Sequence, residues 1–220
     1  MHGVTKCARL LVGLVALALL PAIPLASAKE KPQQEWDGLV PKYNDKLENV
    51  WVRPNVRFKA YKRIRLPPVD VTFAKDWDPN RGTRSPTVEE IENIRTGLAA
   101  MFHKEFAKHL ARGGYVITET NGDDVLIVQA ALANLYVNGP QASNSDLARA
   151  QTMNTGRVSV VMQLSDSVTQ QLLARVVDTQ YGDERGNLTW SSSVADSDEA
   201  RRIIDGWAYA LRLGLDKVNK

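Results

Sequence analysis

Thiol chemistry is almost absent from this chain. Its 220 residues hold one cysteine, Cys7, inside a segment that reads as an export signal. The chain left after cleavage then has no disulfide, no thiolate nucleophile and no cysteine metal ligand. No cysteine follows the expected cleavage point, so no acyl group can be attached there. Histidine is scarce too: outside the signal there are only His103 and His109. No G-x-S-x-G elbow is present, and two histidines on one predicted helix leave a Ser-His-Asp set without a place. Charge of one sign is also missing. The chain has 28 Lys+Arg against 25 Asp+Glu. The signal carries Lys6 and Arg9 and no acid, so cleavage leaves a net charge of +1. That balance gives no electrostatic footprint for nucleic acid. Outside the signal no apolar run approaches the roughly 20 residues of a membrane-spanning helix.

What is present begins with the address. Lys6 and Arg9 precede an apolar run, Leu10 to Leu20, that Pro21 and Pro24 end. Ala26-Ser27-Ala28 supplies small residues at the cleavage positions. Residues 1–28 are therefore expected to be a cleavable signal peptide, and the product a periplasmic protein without a lipid anchor. Residues 29–57 are expected to form an irregular lead-in that tucks Trp36, Leu39, Tyr43, Leu47, Val50 and Trp51 onto the surface of a domain. Residues 58–220 are expected to form that single domain, a size at which a core is stable without staples.

Periodicity gives the elements. Residues 61–66 and 69–73 predict two strand segments, broken by Pro67-Pro68. Ser85-Pro86 marks a helix start. Ile91, Ile94, Leu98, Met101, Phe102, Phe106, His109 and Leu110 then recur at helical spacing. Gly113-Gly114 predicts a left-handed end to that helix. Residues 125–137 begin apolar on both faces, which predicts a central strand. Residues 157–165 and 172–181 predict a hairpin, and 182–196 a polar stretch with a possible short edge strand. Ile203, Ile204, Trp207, Leu211, Leu215 and Val218 make the stripe of a last helix capped at Asp196 or Ser197. The expected fold class is α+β: a largely antiparallel sheet of about five strands with two helices on one face.

Three sets of residues carry a resemblance. Asp37-Gly38-Leu39, Tyr43 and Leu47 lead into Tyr61-Lys62-Arg63-Ile64, Pro67 and Val69-Asp70-Val71. Leu164-Ser165-Asp166-Ser167-Val168-Thr169 is followed by Leu172-Leu173-Ala174. Trp207-Ala208 is followed by Leu211 and Leu215-Asp216. In this order and spacing they resemble domain-of-unknown-function family 3313 over nearly the whole chain after the signal. The resemblance implies a bacterial envelope protein without an assigned activity or site. Many members are lipoproteins, and this chain departs from them in lacking the lipid-accepting cysteine. It also has Gln170 where related hairpin turns often have glycine.

Candidate chemistry is sparse. Six residues apart on a helix, His103 and His109 point about 120° apart, so they cannot chelate one metal as an i, i+4 pair does. Asp76-Trp77-Asp78-Pro79-Asn80-Arg81-Gly82 places oxygens at alternate positions, as calcium loops do. Its glycine comes one residue late, and Thr87 stands where the closing glutamate belongs. No metal or cofactor is therefore assigned. Asp76, Asp78, Asp123, Asp124, Asp183 and Glu184 are the acids whose convergence would mark a hydrolase. Trp36, Trp51, Trp77 and Trp190 lie in predicted irregular or edge segments, where rings stack on sugars or on partner side chains. The first expectation is a non-enzymatic binding or accessory domain with a protein partner in the envelope. The second is a carbohydrate-active or other envelope hydrolase. The third is a lipid or small-molecule carrier. A carrier needs a cavity between helices and sheet, and complete filling by Ile94, Leu98, Phe102, Trp207 and Leu211 would count against it.

Overall fold

Alternation in β-strands and 3.6-residue periodicity in helices place the elements in the computed structural model, which describes residues 36–81, 85–137, 156–182 and 198–219. They run β1 (Val40–Pro41), β2 (Asn49–Val52), β3 (Arg63–Arg65), β4 (Asp70–Phe73), α1 (Val88–Arg112), β5 (Val116–Ile117), β6 (Val125–Tyr136), β7 (Arg157–Asp166), β8 (Leu172–Tyr181) and α2 (Asp198–Asn219). Single 3₁₀ turns lie at Phe58–Ala60 and Pro79–Arg81. All belong to one compact unit, Lys31–Lys220. None of the described helices is long and apolar enough to cross a membrane.

The fold class is α+β, but the sheet departs from expectation. Among the described residues it has eight strands and is mixed, with the path β1-β2-β8-β7-β6-β3-β5 and β4 also on β6. β6, β7, β8 and β2 are antiparallel neighbours. β3 and β4 run parallel to β6. The reason is α1: it crosses one face between β4 and β6, and such a crossover returns the chain in the same direction. β3 and β4 are two pieces of one broken strand beside β6. β3 pairs with Val125 to Ile127 and β4 with Ala131 to Leu135, and Pro67-Pro68 spans the gap. β6 is central, as its two-faced apolar start predicted.

The lead-in is not irregular throughout. Val50 is buried and Trp51 turns to the opposite face, so Asn49–Val52 has the period of a strand. It pairs antiparallel with Ala174 to Val177, and β1 pairs with it in turn.

α1 begins two residues later than Ser85-Pro86 suggests. Thr87 Oγ1 accepts from the Glu90 amide (3.2 Å) and the Glu90 carboxyl accepts from the Thr87 amide (2.8 Å). This capping box satisfies two free donors at once. At the other end Gly114, not Gly113, takes the left-handed conformation, with φ +83°. The predicted cap of α2 and the possible edge strand in 182–196 fall outside the described residues, Gly182 apart.

α1 and α2 pack side by side on one face of the sheet. Between them and the sheet lie Ile94, Leu98, Phe102, Phe106, Leu132, Val160, Met162, Ile204 and Trp207, all at most 3 % exposed. The β7–β8 turn is held from within. Asp166 Oδ1 accepts the amides of Thr169 (2.7 Å) and Val168 (3.0 Å), and Oδ2 accepts the Tyr61 hydroxyl (2.8 Å). These bonds, the Thr169 amide first, hold the Asp166 carboxyl below the usual carboxylate range. Burial, reinforced by Asp166, pushes the Tyr61 phenol up to about 12. Gln170 takes φ +60°, the left-handed conformation that favours glycine.

Candidate functional site

One end of the domain is not filled. Beyond Trp207 on α2, an apolar cavity of about 690 Å³ lies between α2, the lead-in and the sheet edge. Its floor is Val50 and Val52 of β2, Ala174 and Val176 of β8, and Leu164 of β7; Phe58 closes one side. Ala210, Leu211, Gly214 and Leu215 of α2 form its roof. A β-carbon built on Gly214 meets nothing within 4 Å, so this glycine leaves open space in a helix where alanine is favoured. Its mouth carries Lys42, Arg53 and Lys217 against one acid, Asp45.

The lead-in wall is fastened by long-range bonds. The Arg53 amide donates to Leu173 O (2.8 Å) and Arg53 Nε to Leu172 O (2.6 Å). Farther up the wall, the Glu48 amide donates to Asp178 Oδ1 (2.7 Å). Of the five residues expected to fill the interior, Ile94, Leu98, Phe102 and Trp207 do so. Leu211 is also buried but borders the cavity.

The predicted aromatics divide into two places. Trp36 and Trp51 meet edge to face, with centroids 5.5 Å apart. The Trp36 ring lies 3.7 Å from the Arg175 guanidinium carbon, on the sheet face away from the helices. Trp77 is elsewhere. It stacks on Phe73 at 4.0 Å and donates its indole N–H to Val137 O (3.0 Å), so both ring and polar handle are engaged in the fold. Trp190 lies outside the described residues.

The described candidate acids do not converge. Asp124 immediately precedes β6 and is held by Arg63 at 3.0 Å, which lowers its carboxyl and raises the guanidinium. Asp76 pairs with Arg157, opposite Tyr136 at the far end of β6. At about 3.3 Å per residue the two ends are roughly 35 Å apart. Asp123 is exposed next to Asp124, and Asp183 and Glu184 fall outside the described residues. In the loop from Asp76 to Gly82, Asp78 Oδ1 accepts the Asn80 amide (2.9 Å) and Asp76 is bound to Arg157. Gly82 is outside the described residues.

The histidines behave differently from each other. His103 is half-buried. His109 is only 6 % exposed, and its Nε2 is 2.7 Å from Asp205 Oδ1 on α2. Glu105, one turn before it, is 4 % exposed. One ligand atom from each of Glu105, His109 and Asp205 falls within 4.8 Å of the others, close enough in principle for one cation. Lys108 already supplies a cation there: its ammonium bonds Glu105 and lies 3.3 Å from Asp205. The carboxyls raise the Lys108 ammonium, Glu105 first, and the His109 bond lowers Asp205. The arrangement is a polar clamp between the two helices.

The clamp gives a pH prediction. A carboxyl held low in the fold contributes fully above its unfolded value, about 3.9, and that contribution is lost as pH falls through the lower folded value. Asp205→Asn should therefore be less stable than the parent at pH 7. The gap should narrow as pH falls below about 4. Urea denaturation at pH 7 and pH 3 reads it.

A family model described as "Protein of unknown function (DUF3313)" matches residues 29–211. The chain belongs to this family. No curated protein matches the DUF3313 chain at a significant level. Among solved structures it is similar to the PelC dodecamer from Paraburkholderia phytofirmans, at 14 % identity over 67 % of this chain and 89 % of that one, TM-score 0.36. It is also similar to protein XCC0632 from Xanthomonas campestris, of family DUF330, at 11 % identity over 71 % and 88 %, TM-score 0.40. A minor lipoprotein from Acinetobacter baumannii gives 12 % over 71 % and 92 %, TM-score 0.34. Likeness at this level says nothing of ligand or activity.

Two features of the DUF3313 chain were open to sequence reasoning and missed. Glu105 and His109 are an i, i+4 pair, the spacing that His103 and His109 lack. Asp37-Gly38 is a tight-turn signal. Both residues have positive φ, +55° and +72°, and Trp36 and Leu39 exchange backbone hydrogen bonds of 3.1 and 2.9 Å. That turn sets Trp36 over Arg175.

Proposed function

We propose that this DUF3313 protein is an exported, non-enzymatic binding protein of the bacterial envelope, and that the cavity under α2 holds a small amphiphile with an acyl or similar apolar body and an anionic head. The observation that carries the reading is the cavity itself. Its volume lies within the roughly 300–1,000 Å³ of small-molecule sites, and its lining has their character, apolar with a few polar groups at the mouth. Lys42, Arg53 and Lys217 against Asp45 favour an anion at the entrance. The scatter of the described acids favours this reading over a hydrolase. Export rests on the signal at residues 1–28, with the product free in the periplasm.

Gly214 supplies the test. A glycine inside a helix costs about 1 kcal/mol relative to alanine. Gly214→Ala has room and should raise stability by about that amount while leaving binding intact. Gly214→Phe should push a ring into the cavity and weaken uptake of a fatty acid such as palmitate several-fold, read by displacement of a fluorescent naphthylamine probe. Palmitate binding unaltered in the folded Gly214→Phe variant would refute the assignment.

A further inference from the structure

α1 and α2 finish at the same end of the domain. Leu98 of α1 lies beside Ala200 and Ile204 of α2, His109 meets Asp205, and a β-carbon on Gly113 would come 3.0 Å from Arg212 Cγ. Contacts advance together along both chains, so the helices run parallel. Around the last turns of α2 lie two hollows. One is the apolar cavity, with Lys42, Arg53 and Lys217 at its mouth. The other, of about 650 Å³, lies between the ends of the two helices and is lined by Lys62, Arg112, Arg212 and Lys217. Lys217 borders both, so the two basic rims are continuous. Lys42, Lys62, Arg112 and Lys217 are exposed. Arg57 and Lys59, on either side of Phe58 at the cavity wall, are exposed as well.

The linings hold six cations against two acids, Asp45 and Asp216. Arg212 and Asp216 cancel in an ion pair of 2.7 Å. Arg53 is bonded too, but to the carbonyl oxygens of Leu172 and Asp37, which are neutral and leave its charge standing. An excess of four positive charges remains. Complementing the helix dipoles explains only part of it. Each helix C-terminus carries about −0.5 charge, so the two offset about one of the four. Neither lining holds acids to balance the rest. The chain after the signal nets +1, so its residues away from these rims are net negative. Charge is thus segregated along the molecule, and the field of an anionic surface turns this end toward it.

We propose that this end docks on the anionic surface of a phospholipid bilayer. Charge complementarity is the argument: clustered Lys and Arg side chains are drawn to anionic headgroups, and each adds to the attraction. The cations are spread over two rims and do not converge on one point, which suits an extended surface better than a compact anion. Tyr43 adds an aromatic ring at the same place. It is 72 % exposed and lines the cavity beside Lys42. Tyrosine settles at the headgroup level, with its apolar body inward and its hydroxyl in water. Docking rests on charge alone. That the docked cavity exchanges its amphiphile with the bilayer rests on the reading of the cavity given above.

The test is co-sedimentation of the purified protein with vesicles of phosphatidylcholine, alone or mixed with an equal part of phosphatidylglycerol. The protein should bind the mixed vesicles, and raising NaCl from about 50 to about 300 mM should weaken that binding about tenfold or more. Lys62→Gln with Arg112→Gln removes two exposed charges outside the cavity and should also weaken it about tenfold. Tyr43→Ala should weaken it several-fold. Arg201→Gln with Arg202→Gln removes the same charge from the first turns of α2, at the far end, and should change binding by less than about twofold. Equal binding to pure phosphatidylcholine overturns the proposal. Equal losses in the two double variants reduce the attraction to net charge and overturn it as well. Palmitate uptake by the same preparation separates the two readings. Uptake without vesicle binding overturns docking and leaves the cavity reading standing; vesicle binding without uptake does the reverse.

Discussion

Phe106→Ala should destabilise the protein by about 4 kcal/mol, measured by urea denaturation. Phe106 is fully buried and stacks on Phe102 one turn earlier, with centroids 3.8 Å apart and planes 16° from parallel. The two rings are the largest fully buried side chains among the described residues. Truncating one removes its transfer free energy, breaks the stacked pair and leaves a hole that the flanking helix and sheet cannot close. Phe106→Leu keeps most of the volume and should cost under half as much. Val88→Ala, on the same helix but 85 % exposed, should stay within about 0.5 kcal/mol. A loss below about 2 kcal/mol at Phe106 would mean that the inner face of α1 is not packed as described.

That inner face was legible because a helix advertises its buried side by spacing alone. Ile94, Leu98, Met101, Phe102, Phe106 and Leu110 are all buried, as their three- and four-residue intervals predicted. β6 was legible for a related reason: an apolar run on both faces belongs in the middle of a sheet. Strand direction was not. Alternation in Tyr61 to Phe73 says which side chains face the core, but nothing in it says whether the neighbouring strand runs the same way. The crossover by α1 decides that. β2 was missed because Asn49–Val52 is short and its pairing partner lies more than 120 residues away in sequence. The cavity was not legible at all. It lies between Gly214 on α2 and a lead-in tied to the sheet by long-range bonds, and a helical glycine reads in sequence only as a weak point. Nor was the basic end: Lys62, Arg112 and Arg212 lie far apart in sequence and meet only where the two helices finish together.

Asp178 shows the same limit, and it carries the second large effect. It sits in the apolar stripe of β8, two residues after Val176, and is 2 % exposed. Its carboxyl accepts three bonds of 2.7 Å: from the Trp207 indole N–H on α2, the Glu48 amide of the lead-in and the Gln180 amide side chain. One side chain thereby ties sheet, helix and lead-in together. Asp178→Ala should cost roughly 3 kcal/mol, chiefly because the buried indole N–H is left without an acceptor. Gln180 is half-exposed and can turn to water, so its share is small. Asp178→Asn keeps the shape but turns one acceptor into a donor, and should cost about half as much. In a Trp207→Phe background the alanine substitution should become milder by 1–2 kcal/mol, because the stranded donor is gone. Hydrogen exchange at the Glu48 amide adds an independent readout. It should accelerate in Asp178→Ala at fixed global stability, since the wall of the cavity loses one of its ties there. Unchanged exchange at Glu48, or purely additive losses in the double variant, would show that Asp178 does not join the lead-in and α2 through its carboxyl.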